Sequence, residues 1–183
     1  MKTKFLIITT ILSIVFTSCK KEADEKKEEA ATPKVEKNDN FTVEMSVIAD
    51  KDDNFAVYYT EDNTINFTGE KALWTGVKGQ AESQKIVFDF KDAIVPTDIR
   101  FDFGLEKTQG DVILENFKCS FYGKNFEAKG ADFYKYFIEN KDVESQIDAA
   151  KGTITFKKAK GEFKTPFFYP QQALLDQIAL ITK

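Results

Sequence analysis

A period of two governs most of this sequence. From Phe41 onward apolar and polar residues alternate, with Phe41, Val43, Met45 and Val47 on one side and Thr42, Glu44 and Ser46 on the other. Side chains of a strand point alternately to its two faces, so the pattern specifies a strand with one buried and one wet face. It recurs along the chain. Phe55-Ala56-Val57-Tyr58-Tyr59 is a second run, closed by the turn-forming Glu61-Asp62-Asn63-Thr64. Ile86, Phe88 and Phe90 alternate with Val87, Asp89 and Lys91, and Ile99, Phe101 and Phe103 with Arg100 and Asp102 as far as Gly104. Ile113, Phe117, Cys119 and Phe121 share one parity, Tyr122-Gly123-Lys124-Asn125 reads as a hairpin turn into Phe126, and Thr153-Ile154-Thr155-Phe156 follows Gly152. Seven or so short strands separated by turn residues specify an all-β chain, an antiparallel β-sandwich rather than a βαβ fold. Only two segments look helical: a single turn over residues 132–137, and residues 173–181 as a terminal helix or a last strand.

Phenylalanine is the filler this architecture calls for. Rings at alternating positions fill the roughly 10 Å between stacked sheets, so Phe88, Phe90, Phe101, Phe103, Phe117 and Phe121 are the expected core. Cys119 shares their parity, which makes packing its expected role ahead of reactivity.

The chain ahead of Phe41 is an address rather than a fold. Met1-Lys2-Thr3-Lys4 is a short basic start, and residues 5–16 carry no charge. That run is about half the ~20 residues of a membrane-spanning helix, so residues 1–18 read as a cleavable signal peptide. It ends in Phe16-Thr17-Ser18-Cys19, which resembles the lipobox of bacterial lipoproteins. The small Thr17 and Ser18 fit that pattern, and Phe16 departs from its usual leucine. The resemblance implies that Cys19 is diacylated and becomes the mature N-terminus, holding the protein on a membrane through a lipid anchor. The alternative, an ordinary signal peptide with a cysteine nearby by chance, gives no reason for a cysteine where apolar gives way to charged. Residues 19–40 follow as lipidated cysteine and linker, dense in Lys and Glu, without an apolar face, closed by Pro33 and Asn38-Asp39-Asn40. Lys20 and the acids after it resemble the sorting signals of some Gram-negative lipoproteins. That implies the outer membrane, on its periplasmic or cell-surface face. Residues 41–183 form the β-sandwich domain.

Composition removes several function classes. With Lys2 and Lys4 gone with the signal peptide, 24 basic groups face 30 acidic ones, so nothing drives nucleic-acid binding. Histidine is absent, which excludes His-dependent triads, His-ligated zinc and imidazole acid–base catalysis. The chain has no phosphate-cradling glycine loop, no Gly-x-Ser-x-Gly elbow and no metal-spaced cysteine pair. Among so many acids some pair will lie close by chance, and none sits in a glycosidase motif, so an enzyme is not expected.

Two constellations carry candidate chemistry. Asp50, Asp52, Asp53 and Asn54 gather oxygen ligands between two strands, as calcium favours, but without the twelve-residue calcium-loop pattern. Asp and Asn also build turns for backbone reasons, and no cofactor beyond this candidate calcium is expected. The aromatics outside the core parity form the second set. One of Tyr58 and Tyr59 must face out. Trp74 sits in Ala72-Leu73-Trp74-Thr75-Gly76 between strands, and Tyr122 and Phe167-Phe168-Tyr169 sit in turns. Trp74 and the Phe167 cluster either plug an open end of the sandwich or meet a ligand. Arg100, the sole arginine, shares a strand face with Asp102. It either forms a local ion pair or binds a sugar's hydroxyl or acid group.

The strand, turn and Tyr58-Tyr59-Thr60-Glu61-Asp62, then Trp74, then Ile99-Arg100-Phe101-Asp102-Phe103-Gly104, then Phe117-Lys118-Cys119-Ser120-Phe121-Tyr122-Gly123-Lys124 form a series. Over residues 41–156 it resembles the small jelly-roll accessory modules of cell-envelope and polysaccharide-associated proteins. That resemblance implies a jelly-roll-like sandwich with one or two short helices, and a glycan-binding module with Tyr58, Trp74, Arg100, Asp102 and Tyr169 as its ligand residues. The competing expectations are an envelope lipoprotein that docks another protein through a broad apolar patch, and a hydrolase with two carboxylates facing across a cleft.

Overall fold

The computed structural model describes residues 38–141, 145–156 and 163–183. The expected signal peptide, Cys19 and residues 20–37 of the expected linker lie outside the described residues.

Two antiparallel sheets form a sandwich. Strands β1 (Phe41–Ala49), β2 (Asp53–Thr60), β3 (Ala72–Val77), β4 (Gln80–Phe90), β5 (Asp98–Asp102), β6 (Asp111–Phe121), β7 (Lys124–Lys129), β8 (Phe137–Glu139), β9 (Ser145–Asp148), β10 (Thr153–Phe156) and β11 (Phe167–Pro170) precede helix α1 (Gln172–Thr182). The first sheet runs β4-β1-β6-β10-β9, with β7 also paired to β6, and the second runs β3-β2-β5-β11-β8. The sandwich matches the sequence expectation. The strand count exceeds it, because short edge strands such as Phe137–Glu139 are too brief to show a period.

The core is largely aromatic. Phe88, Phe90, Phe101, Phe103 and Phe117 are buried as their parity requires, joined by Phe41, Phe55, Phe133, Phe137 and Phe168. Phe103 touches four rings edge-on or tilted, with centroids 4.7 Å from Phe101, 5.2 Å from Phe55, 5.3 Å from Phe168 and 6.1 Å from Phe133. Offset and edge-to-face contacts suit the ring quadrupole and fix each ring's rotation. Phe121 departs from expectation: it is only partly buried, at the margin of the core. Ile113 departs too, and the reason is a bulge. Ser46 pairs with Asn116 but Val47 pairs with Leu114, so Glu115 is the extra residue in β6. One extra residue exchanges the two faces of a strand, so Val112 and Leu114 point inward before the bulge and Phe117 and Cys119 after it. Burial pushes the Cys119 thiol pKa far up, leaving it neutral and packed.

The connections follow local chemistry. Tyr122 and Gly123 both have positive φ, 46° and 80°, and join β6 to β7 as a two-residue hairpin turn. The expected turn over residues 132–137 is a 3₁₀ segment, Gly130–Lys135, running into β8. The C-terminal segment is the helix, and it buries Leu174, Ile178 and Ile181 at helical spacing.

Candidate functional site

The site is the outer face of the second sheet. In β2, Phe55, Val57 and Tyr59 point into the core, which turns Ala56 and Tyr58 outward. In β5 and the residue after it the same parity buries Ile99, Phe101 and Phe103 and sends Arg100 and Asp102 out. Register then aligns the outward residues. Ala72, Tyr58 and Arg100 form one cross-strand row, and Trp74, Ala56, Asp102 and Phe167 form the next. At about 4.8 Å per strand, the second row spans roughly 14 Å.

Arg100 is the centre of this face. Its Nε and Nη2 donate to the two oxygens of Asp102, both at 2.8 Å. Its guanidinium carbon lies 4.2 Å from the Tyr58 ring centroid, 4.7 Å from Phe167 and 5.8 Å from Phe67. A planar cation stacks on aromatic faces while its edge bonds a carboxylate, a combination lysine cannot supply. Burial is the largest single influence on Arg100 and opposes its charge, but the hydrogen bonds and charge of Asp102, with Tyr58 and Tyr169, together outweigh it and raise the pKa. Burial raises the Asp102 pKa against the pull of Arg100. Burial, then the Asp102 charge, raises Tyr58, so its phenol stays protonated.

Around this pair the aromatics form one continuous patch. Trp74 meets Tyr58 edge-on at 6.2 Å and stays 47% exposed. Tyr169 meets Phe167 at 5.6 Å and Phe67 at 6.0 Å. Phe67 arrives on the β2–β3 connection, which lies against the patch. Thr60 Oγ1 donates to the Thr64 carbonyl, and the Asn63 amide donates to Thr97 Oγ1, tying that loop down. Beyond Trp74, Gly76 and Asn54 continue the same face, beside a pocket of about 360 Å³ lined by Asp52, Asp53, Asn54, Gly76, Val77 and Lys78. Here Lys78 pairs with Asp52 at 2.8 Å, and the Gly79 amide donates to the same carboxylate. These donors hold the Asp52 pKa below the usual carboxylate range.

Tyr58, Trp74, Arg100, Asp102 and Tyr169, read separately along the sequence, thus come together on one sheet. Three placements differ from expectation. Trp74 lies within β3 and stands on the face instead of plugging an end. Phe167 and Tyr169 belong to β11 rather than a turn, with Phe168 between them in the core. Phe67 was not singled out, because nothing local distinguishes a loop phenylalanine; only the fold of the loop brings it to Arg100.

Two carboxylates of the acidic run accept hydrogen bonds from neighbouring loops. Asp50 accepts the Asp111 amide at 3.0 Å. Asp53 accepts the Asn54 and Leu105 amides at 2.7 Å and the Glu106 amide and Gln109 side chain at 3.2 Å. These carboxylates tie the β1–β2 turn to neighbouring connections. Among the described residues no three acidic or thiol side chains converge as a metal cage. No described helix is long and apolar enough to cross a membrane. No protein-family model, curated protein or solved structure matches this chain.

Proposed function

We propose that this chain is an envelope lipoprotein whose β-sandwich binds glycan on the outer face of its second sheet. The observation carrying this reading is that face itself: a half-exposed Trp74 beside Tyr58, flanked by the Arg100–Asp102 pair and by Asn54 next to a polar pocket. Sugar rings offer C–H faces to a flat indole and hydroxyl edges to amide, guanidinium and carboxylate groups. A glycan array probed with purified wild-type protein and Trp74→Ala tests it. Wild type binds at least one glycan and the variant loses that binding at unchanged melting temperature. Equal binding by both, or none by wild type, removes the reading. The anchor rests on the Phe16-Thr17-Ser18-Cys19 resemblance, and Cys19→Ala should move the protein from the membrane fraction to the soluble one.

A second reading has its own observation. Ile138, directly opposite Tyr169, is 51% exposed, and Ile65 on the loop carrying Phe67 is 64% exposed. Apolar side chains extending an aromatic patch also suit docking of another protein. A protein partner whose capture fails with Ile138→Asp but survives Trp74→Ala would favour it.

A further inference from the structure

The charges on this face carry the reading further, to the class of glycan. An acidic polysaccharide needs cations whose charge is not already spent. Arg100 is the central cation of the patch, and its charge is matched by Asp102 through two hydrogen bonds of 2.8 Å. Lys78, the cation of the adjoining pocket, is matched by Asp52 at 2.8 Å, with Asp53 on the same lining. Lys71, near the start of β3, is matched by Glu61 at 2.9 Å. A carboxylate or sulfate brought to Arg100 would meet the charge of Asp102 a few ångströms away, and the attraction and repulsion would nearly cancel. Residues 38–183 as a whole hold 18 Lys and Arg against 24 Asp and Glu, so the domain's long-range field also repels a polyanion.

What remains for a ligand is uncharged chemistry. The Asp102 pair engages two of the five guanidinium N–H donors, and the 17% of the Arg100 side chain that stays exposed is where a hydroxyl oxygen would meet the rest. The exposed Asn54 amide offers both a donor and an acceptor, and Trp74 offers a ring face. Resting on the proposed glycan site, we infer that its ligand class is neutral, hydroxyl-rich polysaccharide, and that Asp102 and Asp52 enforce this by neutralising the two cations that would otherwise hold an acidic sugar.

The test compares wild type, Asp52→Asn, Asp102→Asn and Trp74→Ala by calorimetric titration. The probes are laminarin, galactomannan and xyloglucan as neutral glycans, and alginate and polygalacturonate as acidic ones. Wild type should bind at least one neutral glycan tenfold or more tighter than either acidic one. Asp52→Asn, a change at an exposed side chain, and Asp102→Asn should each narrow that ratio at least threefold, with Asp52→Asn carrying the test if Asp102→Asn fails to fold. Tighter acidic binding by wild type, abolished in Trp74→Ala, would overturn the inference while leaving the glycan site standing. A ratio unchanged in Asp52→Asn would also overturn the role given to the acids. Binding of no probe would overturn both.

Discussion

Replacing Arg100 with methionine tests whether the centre of the patch is a true buried pair. Arg100 and Asp102 side chains are 17% and 9% exposed, so little solvent screening weakens their interaction. Removing one partner of such a pair leaves the other charge buried and unmatched, which costs about 3–5 kcal/mol at neutral pH. Methionine keeps much of the packing between Tyr58 and Phe167, so most of the loss is electrostatic. Its pH dependence has a definite sign. Burial already raises the Asp102 pKa in the folded state, and without Arg100 it rises further. An acid with a raised folded pKa favours folding while it is protonated, and that benefit is lost as pH climbs through its unfolded value of about 3.9. Wild type loses the same benefit until its own raised Asp102 pKa is passed, so the deficit of Arg100→Met should grow only above that wild-type folded value, by up to ~1.4 kcal/mol per pH unit, until the variant's folded carboxyl also ionises. Urea unfolding at neutral pH and at about pH 3.5 measures both ends. Adding Asp102→Leu should recover most of the loss, since apolar groups replace buried ion pairs at little cost. A deficit below about 0.5 kcal/mol, the usual range for a surface substitution, would refute the argument. So would one that is constant across pH.

Phe103→Ala should cost about 4–5 kcal/mol, because four ring contacts are lost with the burial, and lower Tm by roughly 10–15 °C; a surface-sized effect would show the inward face was misassigned. Cys119 should react with Ellman's reagent only in denaturant, since it is buried and neutral; prompt labelling of the native protein would contradict that packing. Gly104→Ala should destabilise by about 2 kcal/mol or more, because φ is +84° and a Cβ would lie 2.1 Å from Asp53 Oδ2, displacing the carboxylate that holds Leu105 and Glu106; a neutral result in thermal melts would show that this turn relaxes freely.

The sandwich was legible because its signal is local. Alternation in Phe41–Ala49 and at Ile99, Phe101 and Phe103 fixes the faces of β1 and β5 without knowledge of any partner strand. The same rule misled at Ile113, since a bulge at Glu115 is created by register with β1 and leaves no mark in β6 itself. The members of the patch were legible one at a time as aromatics off the core parity and a lone arginine beside an aspartate. Their convergence was not, because it depends on the order β3-β2-β5-β11, and β11 comes late in the chain yet pairs with β5. Trp74 looked like a plug because Ala72-Leu73-Trp74-Thr75-Gly76 alternates poorly, being an edge strand with few fully buried side chains. The acidic run was ambiguous because calcium loops and tight turns draw on the same residues, and only hydrogen-bond geometry shows Asp53 gripping backbone amides.

Ligand mapping by nuclear magnetic resonance addresses the glycan-binding claim most directly. Titration with the neutral glycan that wild type binds most tightly should shift the Trp74 indole N–H and the signals of Tyr58, Phe167, Tyr169 and Asn54. The signals of Leu175 and Ala179, which line a separate groove of about 320 Å³ beside α1, should stay unmoved. Shifts centred on that groove, or none on the outer face of the second sheet at saturating glycan, would contradict the account.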